Sequence, residues 1–92
     1  MRFEWDWRKA AANYVKHAIS FEEAATLFGD PMARIADDPR HTSEERRFVI
    51  LGASDKRRLL VVMYTERGEV VRIISARKAT SRERWRYEEE QE

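Results

Sequence analysis

The residues of this chain best suited to chemistry are cationic, and several gather where an apolar run ends. The segment Val70-Val71-Arg72-Ile73-Ile74-Ser75-Ala76-Arg77-Lys78-Ala79-Thr80 opens with the β-branched composition of a buried strand and closes on a basic cluster. Thr80 and Glu83 then form the T-x-x-E signature of a helix start. A helix N-terminus attracts anions through its unpaired N–H groups and its dipole. Arg77 and Lys78 add fixed positive charge beside it, so a phosphate group is expected at this junction. Arg72 and Arg77 lie five positions apart. In an undistorted strand they face opposite sides, and they share a face only if a bulge or the strand end intervenes. Ser75 carries no signature of an activated nucleophile and reads as structural.

Three further constellations have the right side chains. Lys16-His17 ends a predicted helix, where the dipole favours a protonated imidazole that can act as an acid. A histidine there can equally cap carbonyls and do no chemistry. Glu45 and Arg47 share a face if their segment is a strand. They are then either an ion pair of little energetic consequence or a base beside a phosphate clamp. Arg82, Arg84, Trp85, Arg86 and Tyr87 mix cations with aromatics on a predicted last helix. That mixture can clamp and stack RNA, or Trp85 can belong to the core with the arginines on its wet face. His41 lies in a polar stretch and reads as solvated. Two histidines without carboxylates at ligand spacing make a poor metal case, so neither metal nor cofactor is expected.

The totals narrow the field. Ninety-two residues make a single domain, 1–92, with a small core. The absence of cysteine rules out a disulfide framework and fits a reducing cytoplasm. The longest apolar run, Leu59 to Tyr64, is far too short to span a bilayer. Met1 to Asp6 lacks a signal-peptide core and reads as folded structure, so a cytoplasmic location is expected. The net charge of +1 hides a basic body once the acidic stretch Glu88-Glu89-Glu90-Gln91-Glu92 is set aside. Its cations are mostly arginine, the side chain suited to bidentate phosphate contact.

The positioning elements follow from patterning. Phe3 and Trp5 alternate with Arg2, Glu4 and Asp6 as in a short strand. Asp6 can cap a helix from about Trp7 to His17, in which Trp7, Ala11, Tyr14, Val15 and Ala18 fall on one face at helical spacing. Ser20-Phe21-Glu22-Glu23 is a second capping box, opening a short helix to about Phe28. Gly29 can take a left-handed cap and Asp30-Pro31 stops the helix. Met32 to Ala36 is a weak strand, and 37–43 a polar, mobile loop. Strands follow at Arg47 to Ala53, Leu59 to Thr65 and 70–78, with Glu66-Arg67-Gly68-Glu69 closing a hairpin. The last helix starts at Ser81 and runs towards Glu90. Short connections between the last three strands predict an antiparallel meander within an α+β domain.

A family resemblance covers nearly the whole chain in order. Its marks are Phe3-x-Trp5-Asp6, Lys9-Ala10, Asn13-x-x-Lys16-His17, Ser20-Phe21-Glu22-Glu23-Ala24, Phe28-x-Asp30, Glu45-x-Arg47, Gly52, the 72–79 segment, Glu83 and Tyr87. With these the chain resembles the BrnT family of bacterial type II toxins. It departs at Ala18, where the family usually has glycine after Lys-His. If that position is left-handed, alanine costs roughly 1 kcal/mol.

The resemblance implies a RelE-like fold: an antiparallel β-sheet with two N-terminal helices and one C-terminal helix. It implies an endoribonuclease that halts translation and a ribbon-helix-helix antitoxin, BrnA. Operator DNA would be bound only through the toxin–antitoxin complex, and no membrane is involved. RNA cleavage without metal needs a base for the 2′-OH, cations for the crowded phosphate and an acid for the leaving oxygen. The expected assignments are Arg72 and Arg77 on the phosphate, with Arg47, Lys16 and Lys78 as further cations. His17 or Glu45 would transfer protons, and Arg82, Arg84 and Tyr87 would hold RNA. On this reading Arg77→Ala abolishes cleavage and spares the fold. Two competing readings are a non-catalytic module that binds RNA or antitoxin, and a toxin that has lost its activity.

Overall fold

The computed structural model describes residues 1–89. In chain order these form β1 (Arg2–Glu4), α1 (Trp7–His17), α2 (Phe21–Thr26) and a single 3-10 turn, Leu27–Gly29. Then come β2 (Arg34–Asp37), β3 (Arg47–Ala53), β4 (Leu59–Arg67), β5 (Val70–Lys78) and α3 (Ser81–Glu89). The predicted end of the last helix at Glu90 lies outside the described residues. Among the described residues, no helix is long and apolar enough to cross a membrane.

The strands make one sheet in the order β1-β5-β4-β3-β2. β2 to β5 pair antiparallel, as their short connections require. The β4–β5 turn places Gly68 at φ 61, the first position of a two-residue loop, where glycine is favoured. The sheet is nevertheless mixed, because β1 pairs parallel with β5. The expected antiparallel sheet is corrected at β1 alone: short connections dictate antiparallel pairing only of the strands they join, and no tight turn links β1 to β5.

One face of the sheet carries the main core. Ile19, Phe21, Ala24 and Leu27 pack there on Ile50, Leu60, Val62, Tyr64, Val71 and Ile73. The other face is thinly covered by α3, over a smaller cluster of Leu51, Leu59 and Val61 with Tyr87 beside it. Gly52 lets the segment after α2 approach the sheet closely, since a Cβ there would lie 3.1 Å from the Ala33 Cβ. Asp30 reaches past it to accept from the Ala53 N–H at 2.8 Å and from the Tyr87 hydroxyl at 2.5 Å, which anchors α3.

Local capping follows the sequence in part. Asp6 accepts from the Arg8 and Lys9 N–H groups, and Ser20 from that of Glu23. The second box stays half formed, because the buried Glu23 carboxylate turns inward to the Arg58 guanidinium and the Ser54 hydroxyl. Gly29 does not take the left-handed conformation; Ala18 does, at φ 57. The 37–43 loop is fastened by the His41 N–H to the Asp38 carbonyl and by Thr42 to Glu45, with Asp38 buried.

The apolar face of α1 is real but looks outward. Trp7, Tyr14 and Val15 are 71%, 57% and 88% exposed, and the buried residue is Asn13. β1 covers only the first part of β5, so the backbone edge beyond Arg72 needs other partners. Asn13 supplies them, donating to the Ala76 carbonyl and accepting the Ala76 N–H at 2.9 and 3.1 Å. Helix α1 therefore turns a polar residue towards the sheet. Trp85 on α3 is also exposed rather than in the core.

Candidate functional site

A one-residue irregularity in β5 decides where its arginines point. Tyr64 pairs with Ile73, but Met63 pairs with Ser75, leaving Ile74 as the extra residue of a bulge. Arg72 then lies opposite Thr65 and Arg77 opposite Val61. Both arginines fall on the face away from the main core, meeting the condition for a shared side. They do not meet one another: Thr65 and Val61 stand four residues apart on β4, about 13 Å along the strand.

Arg72 instead joins a cavity of about 180 Å³ lined by Lys9, Glu45, Arg47, Thr65, Arg67, Arg72 and Ile74. Four cations thus face one carboxylate. Lys9 enters from the first turns of α1, and Arg47 and Thr65 are a directly paired position of β3 and β4. Arg72 is steadied by Glu4 at 3.2 Å. Arg47 lies between Asp38 at 3.6 Å and Glu45 at 3.9 Å. Burial pushes the Asp38 carboxyl up, but the Arg40 N–H and the Arg40 and Arg47 charges outweigh it and hold the pKa below the ordinary value. Thr65 is only 4% exposed, and its hydroxyl finds no partner among the described residues. A buried hydroxyl without a partner is costly, and Thr65 carries one in the wall of a cationic cavity.

The far end of β5 is already satisfied. Arg77 makes a two-pronged pair with Glu83 at 2.8 and 3.0 Å. The predicted capping box forms, with Thr80 N–H to Glu83 and Glu83 N–H to Thr80 Oγ1. Arg77, with help from Thr80 and against some burial, pulls the Glu83 carboxyl down to about 2. The helix N-terminus expected to take a phosphate is therefore occupied by the chain's own carboxylate.

The remaining predicted residues lie outside the cavity. Lys16 and His17 close α1, seven and eight positions beyond Lys9 and about 10–12 Å along the axis. Lys78, Arg82 and Arg84 are exposed, with Arg84 near Glu88 at 3.7 Å. Tyr87 is spent on Asp30 and the small core cluster. Among the described residues no three His, Cys, Asp or Glu side chains gather as metal ligands. Sequence reasoning missed Lys9, Thr65 and Arg67. Thr65 and Arg67 continue the alternation of β4 on the face of Arg47, a signal readable once the hairpin register is known.

With this geometry in place, the family model described as the ribonuclease toxin BrnT of type II toxin-antitoxin systems matches residues 5–83. The chain belongs to the BrnT family. The match spans every residue lining the cavity and stops before Arg84 and Tyr87. The crystal structure of the Brucella abortus ribonuclease toxin BrnT superposes with a TM-score of 0.69. It is 21% identical, and the alignment covers 88% of this chain and 99% of that one, which establishes the shared α+β fold. No curated protein matches. As a BrnT-family chain it belongs to a type II toxin–antitoxin system, in which a toxin is paired with an antitoxin.

Proposed function

We propose that this chain is an endoribonuclease toxin that cleaves RNA without a metal ion, with the Arg72 cavity holding the scissile phosphate. The observation that carries this reading is the convergence of Lys9, Arg47, Arg67 and Arg72 around the unpartnered Thr65 hydroxyl, with Glu45 on the rim. The four cations stabilise the charge of a crowded phosphorane, each contributing a factor of about 10²–10³ in rate. Glu45 takes the proton of the 2′-OH, and the 2′-oxygen bonds to phosphorus as the bond to the 5′-oxygen breaks. The leaving 5′-oxygen takes a proton from water in the open cavity. The products are a 2′,3′-cyclic phosphate and a 5′-hydroxyl. Lys78, Arg82 and Arg84 are exposed cations suited to flanking phosphates, and His17, Arg77 and Tyr87 carry no step. Such cleavage would act in the cytoplasm and inhibit translation. A ribbon-helix-helix antitoxin would neutralise it and carry the complex to operator DNA.

The test is incubation of an end-labelled RNA with purified protein in EDTA, followed by analysis of the new ends. Cyclic phosphate and 5′-hydroxyl ends are expected, and an RNA with 2′-deoxyribose at the cut position should resist. Cleavage of that deoxy substrate, or dependence on a divalent ion, would overturn the mechanism.

A further inference from the structure

The exposed stripe on α1 has no part in the proposed cleavage. Trp7, Ala11, Tyr14, Val15 and Ala18 follow one line along the helix, and none of them is buried. An unpartnered apolar stripe on so small a domain marks an interaction surface. Its centre is alanine, which lets another backbone approach closely between the larger side chains. Arg8, Ala12 and Lys16 form the adjoining ridge at intervals of four residues. No residue of α1 is acidic, so the ridge is purely cationic.

We infer that this stripe is the docking site for an amphipathic helix of the antitoxin, with one apolar ridge and acidic residues along one side. The inference rests on the toxin–antitoxin partnership proposed above. Charge complementarity selects this occupant. Acidic side chains of such a helix would meet Arg8 and Lys16 while its apolar ridge lies between Trp7 and Val15. A second copy of this chain fits worse, since antiparallel packing of the stripe on itself brings the two cationic ridges together and parallel packing leaves them without an acidic partner on α1. RNA fits worse as well. Ala11, Val15 and Ala18 offer bases no ring to stack on, and of the stripe's two rings Trp7 already lies 5.2 Å from the Arg8 guanidinium carbon, which leaves Tyr14 as a single platform. By helical angle the cationic ridge lies between the stripe and Lys9, which lines the cavity.

The experiment measures binding of the antitoxin encoded in the same operon to the wild type, Val15→Asp, Trp7→Ala and Arg8→Glu/Lys16→Glu by calorimetry. Circular dichroism and RNA cleavage are recorded on each. Val15 is exposed, so Val15→Asp should fold and cleave RNA as the wild type does. It should bind antitoxin about a hundredfold more weakly, and Trp7→Ala at least tenfold. The charge-reversed pair should bind more weakly at low salt and lose most of its salt dependence. Antitoxin affinity unchanged in Val15→Asp and Trp7→Ala would overturn the inference. So would a wild-type dimer that Val15→Asp dissociates while antitoxin binding persists, or an RNA affinity that falls while antitoxin affinity does not. Loss of binding in variants of a wild type that cleaves no RNA would leave the docking site standing and remove only the catalytic reading.

Discussion

Ala18 offers the most exact test of the local physics. It ends α1 in the left-handed conformation at φ 57, ψ 31, with its N–H donated to the Tyr14 carbonyl at 2.8 Å. An L-residue with a Cβ held there costs about 1–2 kcal/mol relative to glycine. Ala18→Gly removes that strain but adds about 0.4–1 kcal/mol of unfolded-state entropy. Two structural facts keep other contributions small. Ala18 is exposed, so its methyl contributes little packing, and its contact with Arg58 runs through its own backbone carbonyl. The net expectation is a gain of about 0.5–1 kcal/mol. For a domain of this size that raises Tm by about 2–8 °C. Thermal and urea unfolding of wild type and Ala18→Gly check the value. A Tm that is unchanged or lower would refute the assignment of strain to this position. Ala18→Val is the counter-test and should destabilise.

The Glu83 carboxyl falls from an ordinary value of 4.5 to about 2, so its ion-pair stability is complete above pH 4.5 and lost as pH falls towards 2. Glu83→Gln should therefore be less stable at pH 7, by about 1–2 kcal/mol after allowance for the part-exposed pair, and the gap should close across that window in acid titrations followed by circular dichroism. A gap independent of pH would show that the pair is not its source. Thr65→Val replaces a buried, unpartnered hydroxyl with a methyl group. It should raise stability by about 1 kcal/mol while lowering cleavage about tenfold, the combination expected when a polar group is kept for a ligand. Lower stability in that variant would mean the hydroxyl has a partner in the fold.

Much of the fold was legible because it depends on near neighbours. The strands at 47–53 and 70–78, the helix at 7–17 and the Thr80–Glu83 box rest on alternation, helical spacing and caps, all visible within one turn or hairpin. The errors have a common cause in long-range pairing. No local pattern says that β1 joins β5 in parallel, nor that the edge it leaves uncovered must be filled by Asn13. Once Asn13 takes that place, the apolar face of α1 has to look outward, a direction that its periodicity alone does not carry. The cavity was half legible for the same reason. Arg72, Glu45 and Arg47 have the chemistry and a plausible spacing, whereas Lys9 and Thr65 arrive through tertiary placement. Arg77 looked like an equal partner of Arg72. The bulge does bring it to the same face, but Glu83 claims it there.

The most direct test of the proposed site compares single-turnover cleavage of one labelled RNA by folded variants from the two ends of β5. Arg72→Ala and Glu45→Gln alter the cavity, and Lys78→Ala and His17→Ala alter the far end. The predicted result is a loss of about a hundredfold or more in the cavity variants and less than tenfold in the others. Full cleavage by Arg72→Ala, with the large losses at Lys78 or His17, would contradict it and move the phosphate to the other end of the strand.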